Sequence, residues 1–90
     1  MTKDEFLTKA AAGEAVLVDI REDAELAASP SPAGALHVPL SKLAEHVHKL
    51  PTDKLVVTIC QSGGRCVPVT QLLNANGFTA DYIEGGLSNW

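Results

Sequence analysis

Ninety residues, 46% of them hydrophobic and 20% charged, make one globular domain expected to span 1–90. A chain this short buries only about 60–65% of its unfolded surface, enough for a single modest core and not for a second domain. The formal charge of −4, with 7 scattered Lys and Arg, provides no basic face for nucleic acid, and no stretch reaches the apolar length that crosses a bilayer, so neither partner is expected.

Taken in order, Thr2 and Glu5 stand at capping-box spacing, and Phe6, Leu7, Ala10 and Ala11 share a helical face before Gly13 ends the helix. Met1 to Glu5 mix charges and lead into no signal-peptide apolar region, which makes the cytoplasm the expected location. Ala15 to Asp19 is an apolar run closed by a carboxylate, suited to a buried strand. Glu22 to Ala28 favours a short helix, broken by the Pro- and Gly-containing loop Ser29-Pro30-Ser31-Pro32-Ala33-Gly34. Ala35 to Leu40 reads as a brief strand; Ser41 then caps a helix with Leu43, Val47 and Leu50 on one face and Pro51 beyond its end.

Leu55 to Ile59 is uncharged and mostly β-branched, as in a central strand covered on both faces. It stops at Cys60; Gly63 and Gly64 permit a tight turn, and Val69, Leu72 and Leu73 switch to helical spacing, with Pro68 tolerated in the first turn and Asn76-Gly77 as the stop. Ala80 to Glu84 is a last short strand, and Gly85-Gly86 turns the chain toward Trp90, expected to anchor a terminal helix on the core. Alternating strands and helices imply a three-layer α/β/α fold around a mostly parallel sheet of four or five short strands. Asp19 and Cys60 then end at the same sheet edge, where α/β proteins place their chemistry.

The two cysteines share one turn, which is neither a secreted disulfide framework nor a zinc site, so reactivity is their expected meaning. A cysteine reacts as thiolate, which an unperturbed pKa of about 8.5 limits at neutral pH. Inward N–H groups from Gln61 to Cys66, together with the positive end of the following helix, can stabilise that charge. Arg65 can orient an anion such as a sulfur oxyanion or phosphate. The plainer alternative is a free cysteine serving as a small buried hydrophobe. His37, His46 and His48 lack metal-ligand spacing and are read as structural.

The loop Cys60-Gln61-Ser62-Gly63-Gly64-Arg65 resembles the active-site loop of rhodanese-type sulfurtransferases. Asp19-Ile20-Arg21-Glu22 is similar to that family's Asp-x-Arg-Glu element. Gly34-Ala35-Leu36-His37-Val38-Pro39-Leu40 resembles its Gly-Ala-x-x-x-Pro-Leu segment, and Gly85-Gly86-Leu87-Ser88-Asn89-Trp90 its closing Gly-Gly-x-x-x-Trp. The resemblance implies that Cys60 attacks the outer sulfur of a donor such as thiosulfate, holds it as a persulfide, and passes it to a thiol or cyanide. It implies that residues 61–66 (Gln61, Ser62, Gly63, Gly64, Arg65 and Cys66) bind the substrate, that Asp19 supports the site and that Arg21 stands at its rim. No metal or organic cofactor is implied; the partner is a small sulfur-containing anion or a thiol carrier. A non-catalytic rhodanese-like sulfur-sensing or protein-interaction domain is the alternative. Phosphatases and arsenate reductases of this fold resemble a loop one residue longer.

Two departures stand out. The Ser29-Pro30-Ser31-Pro32-Ala33 stretch replaces the family's frequent Gly-His-Ile, giving a different loop beside the site. Cys66 stands where a Ser or Thr hydroxyl is usual; it either attacks the persulfide or closes a disulfide with Cys60, or it simply packs.

Overall fold

The computed structural model describes residues 1–90. Its centre is a pair of adjacent parallel strands, β1 (Ala15–Asp19) and β3 (Leu55–Ile59), in which Val18, Val56, Val57, Thr58 and Ile59 are almost wholly buried. Burial on both faces is why these runs are largely apolar, with Val and Ile prominent, rather than alternating with polar residues. β2 (Leu36–His37) flanks β1 and β4 (Thr79–Tyr82) flanks β3, giving a four-stranded, all-parallel sheet in the order β2-β1-β3-β4. The chain leaves β1 in one direction and β3 in the other, so a crevice opens where their C-terminal ends diverge. Register sets Asp19 opposite Ile59, which brings Asp19 and Cys60 to that crevice.

Two core layers sandwich the sheet. On one face Val18, Val56 and Cys60 meet Leu43 of α3 (Leu43–His46), Leu50, and Val69 and Leu73 of α4 (Cys66–Ala75). A hydrogen bond of 3.1 Å between the buried hydroxyls of Thr58 and Thr70 fixes α4 on β3. On the other face Leu17, Val57, Ile59 and Ile83 meet Phe6 of α1 (Lys3–Ala11), with Leu87 and Trp90 against them. The three-layer architecture expected from the sequence is therefore present, with no helix long and apolar enough to cross a membrane.

Local differences have local causes. α1 starts at the expected capping box: Glu5 N–H donates to Thr2 Oγ1 at 3.2 Å and Thr2 N–H to Glu5 Oε1 at 2.9 Å. Of its expected apolar face, Phe6 is buried while Leu7 is 45% exposed, because successive residues turn by about 100° around a helix and a narrow sheet covers only one stripe. β2 is two residues rather than six, since β1 itself ends at Asp19 and beyond it only the Val38 and Leu40 N–H groups continue to the Asp19 and Ile20 carbonyls, each at 3.0 Å. The helix expected after Ser41 is one α-helical turn between two 3₁₀ turns, Leu40–Lys42 and Val47–Lys49, none with a side-chain cap. Ser41 instead donates its N–H and hydroxyl to Glu22, at the start of α2 (Asp23–Ala28). That helix buries none of its residues and is held by polar ties.

Candidate active site

β3 delivers Cys60 to the crevice, and the C-terminal 3₁₀ turn Gly86–Asn89 receives it. Leu87 N–H donates to the Cys60 carbonyl at 2.9 Å; Ser88 donates its N–H at 3.2 Å and its hydroxyl at 3.1 Å to the Gln61 carbonyl. Approach this close requires glycine. Gly86 has φ +59, and a Cβ there would collide with the Cys60 carbonyl, while at Gly63, φ +91, it would stand 3.1 Å from Gly85 N. Trp90 ties the turn to α1: its ring lies 5.9 Å from Phe6, and Lys3 Nζ sits 5.0 Å above it while donating to the Trp90 carbonyl at 2.8 Å. The aromatic thus anchors the loop's support, through a 3₁₀ turn rather than an α-helix.

The loop's N–H groups converge on sulfur. Gly63 N–H donates to Cys60 Sγ at 3.1 Å, and the backbone N–H groups of Arg65 and Cys66 add to the stabilisation of its charge, the latter while donating to the Gly63 carbonyl at 3.2 Å. Burial pushes the Cys60 pKa up, but the Cys66 thiol and these three N–H groups outweigh it and hold Cys60 below the usual cysteine range. Cys66 moves the other way. Burial raises it first, opposed by the Thr58 hydroxyl, and its hydrogen bond to Cys60 and the charge there raise it further. Of the two thiols, Cys60 is therefore the one that ionises more readily. Both cysteines are free and wholly buried.

Arg65 does not stand free. Its Nη1 and Nη2 donate to Glu25 Oε2 and Oε1 at 2.8 and 2.6 Å, a bidentate pair reaching from the loop to α2. The hydrogen bonds from Arg65 draw the Glu25 carboxyl down to about 2; Glu25 in turn, and then the Cys60 sulfur, raise the arginine pKa further. Glu25 is a site residue that local pattern could not disclose: it lies on an exposed acidic helix, 40 positions from its partner.

Arg21, expected at the rim, is wholly buried. Its Nε and Nη2 donate to both Asp19 carboxylate oxygens at 2.9–3.1 Å, and Nη2 also to the Ser29 carbonyl at 2.8 Å. Ser31 Oγ donates to Asp19 Oδ2 at 2.7 Å. Burial raises the Asp19 pKa, but the Arg21 and Ser31 hydrogen bonds more than compensate and keep it below the usual carboxylate value. The pair locks the Ser-Pro-Ser-Pro loop against the strand end. Gln61, Ser62 and Gly64 form the exposed outer edge of the loop. His37 donates from Nε2 to the Arg21 carbonyl at 2.7 Å, and no group of three or more His, Cys, Asp or Glu side chains gathers at metal-binding distance.

This arrangement can hold a thiolate and a sulfur bound to it inside an N–H cradle, with one arginine beside it. Comparison with known proteins identifies the relatives of this chain. Residues 2–90 match the rhodanese-like domain family. A sulfurtransferase of Allochromatium vinosum is 32% identical over 78 residues, covering 86% of this chain and 72% of that protein. The human single-domain sulfurtransferase TSTD1 superposes with a TM-score of 0.84 at 30% identity, over 100% of this chain and 92% of its own. A rhodanese-like domain protein from Staphylococcus aureus gives 0.88 at 27% identity, over 100% and 88%.

Proposed function

The chain belongs to the rhodanese-like sulfurtransferase family, and from that premise we propose that it moves a sulfane sulfur from a donor such as thiosulfate, through a Cys60 persulfide, to a thiol or cyanide. The observation that carries this reading is the Gly63 N–H at 3.1 Å from Cys60 Sγ, the nearest part of a cradle that favours the thiolate. In the first half-reaction the thiolate attacks the outer sulfur, the donor's S–S bond breaks, and sulfite leaves with the electron pair. In the second an acceptor takes the outer sulfur and the thiolate returns. Dividing the transfer in two lets the same N–H groups stabilise thiolate and persulfide alike. Arg65 would hold the departing anion once it turns from Glu25. Cys66 serves as the proton-bearing donor to Cys60, in the place of a hydroxyl. Two free cysteines suit a reducing compartment, and we read the cytoplasm as the location.

The test is intact mass after incubation of reduced protein with excess thiosulfate or a persulfide. Wild type gains one sulfur and loses it to cyanide, whereas Cys60→Ser gains none. An unmodified wild type, or an adduct kept by Cys60→Ser, overturns the mechanism. An adduct that no acceptor discharges points to the sulfur-sensing alternative instead.

A further inference from the structure

We propose that Glu25 is a specificity-determining residue, closing the sulfur site through its pair with Arg65 and selecting persulfide donors, R–S–SH, over small dianions such as thiosulfate. The inference rests on the sulfur-transfer reading and names its donor class. Cys60 has 0% exposure, whereas Arg65 and Glu25 are 38% and 34% exposed. Arg65 is held by Glu25 through two short hydrogen bonds while it also feels the Cys60 sulfur, so a donor that uses Arg65 at Cys60 must displace Glu25.

The charges around that pair disfavour a dianion. Arg65 is already neutralised by two short charge-assisted bonds, which a donor must replace before gaining any of its own. The other guanidinium at this edge, Arg21, is buried and bound to Asp19. α2 adds Glu22 and Asp23 beside Glu25, so this end carries two more carboxylates than guanidiniums. A doubly charged donor meets repulsion while both guanidiniums are already paired with carboxylates, only the buried Arg21 Nη1 lacking a hydrogen-bond partner; a neutral or singly charged persulfide does not. The step balances without a co-reactant. The Cys60 thiolate attacks the outer sulfur of R–S–SH, the new S–S bond forms as the old one breaks, the electron pair leaves on RS⁻, and the proton stays on the transferred sulfur.

The experiment compares single-turnover rates of Cys60 persulfidation, read by intact mass, for thiosulfate and for cysteine persulfide, whose carboxylate and ammonium cancel and leave at most one net negative charge. Glu25→Gln raises the ratio of the thiosulfate rate to the persulfide rate by about tenfold or more, as expected when one adjacent charge is removed from a dianion's path. Glu14→Gln, with the same change in net charge at the opposite edge of the sheet, leaves the ratio within twofold. In wild type the thiosulfate rate rises with added salt, a reading that needs no variant. An unchanged ratio in Glu25→Gln, an equal rise in Glu14→Gln, or a thiosulfate rate that falls with salt overturns the role of Glu25. A wild type that accepts sulfur from neither donor overturns the sulfur-transfer reading itself.

Discussion

Replacing Cys66 with alanine isolates the contribution of one hydrogen to the reactivity of Cys60. The thiol is among the groups that hold Cys60 below the usual cysteine range, alongside the N–H groups of Gly63, Arg65 and Cys66. All three N–H groups survive in Cys66→Ala, and alanine favours the first turn of α4. A hydrogen bond to a charged acceptor contributes about 1.5–3 kcal/mol, and S–H is a weak donor, so the lower end applies. At 1.36 kcal/mol per pKa unit this is about one unit. The Cys60 titration should therefore move up by about one unit, and at any pH below both midpoints the thiolate fraction should fall about tenfold. Iodoacetamide alkylation across pH, with the modified residue identified by peptide mass, measures both. Cys66→Ser keeps a donor and should return the midpoint close to wild type. A midpoint in Cys66→Ala that stays in place or moves down would refute the assignment of the shared proton to Cys66.

Two further outcomes test the frame around the loop. Gly86→Ala sets a Cβ against the Cys60 carbonyl and 2.9 Å from Gly63 N at φ +59, and should cost about 2–4 kcal/mol in urea unfolding; a wild-type midpoint would show that the turn yields freely. Asp19→Asn leaves the wholly buried Arg21 charge unpaired and should cost about 3–5 kcal/mol. Because the folded Asp19 pKa lies below its unfolded value, its stabilisation is present above the unfolded value of about 4 and is lost as pH falls through the folded one. Wild-type stability should thus drop on acidification below about pH 4, and Asp19→Asn should lose that part of the drop.

The elements legible in the sequence were those whose cause is local. Thr2 and Glu5 cap α1 from three residues apart, the apolar runs of β1 and β3 carry their own burial, and the loop glycines announce their backbone. What escaped was decided across the fold. Ser41 has the chemistry of a cap, but Glu22 offers it a stronger acceptor. Leu7 repeats the period of a buried face, but too little sheet lies beneath it. Arg21 reads as a residue of the site rim until Asp19 and the Ser29 carbonyl surround it. Arg65 reads as a free anion-binding cation because nothing near it in the chain marks Glu25 as its partner.

The backbone of the sulfur loop has little freedom to open. Its first carbonyls are taken by Leu87 and Ser88, and glycines press backbone against backbone at Gly63, Gly85 and Gly86. The partly exposed side chains beside it, Arg65 and Glu25, can reorient by bond rotation once their pair opens, which is faster than the rearrangement of a loop. On the proposed mechanism, access to the sulfur would be a rapid pre-equilibrium in which the ion pair sets what fraction of molecules is receptive, and the pace of each cycle would fall to the breaking and making of S–S bonds.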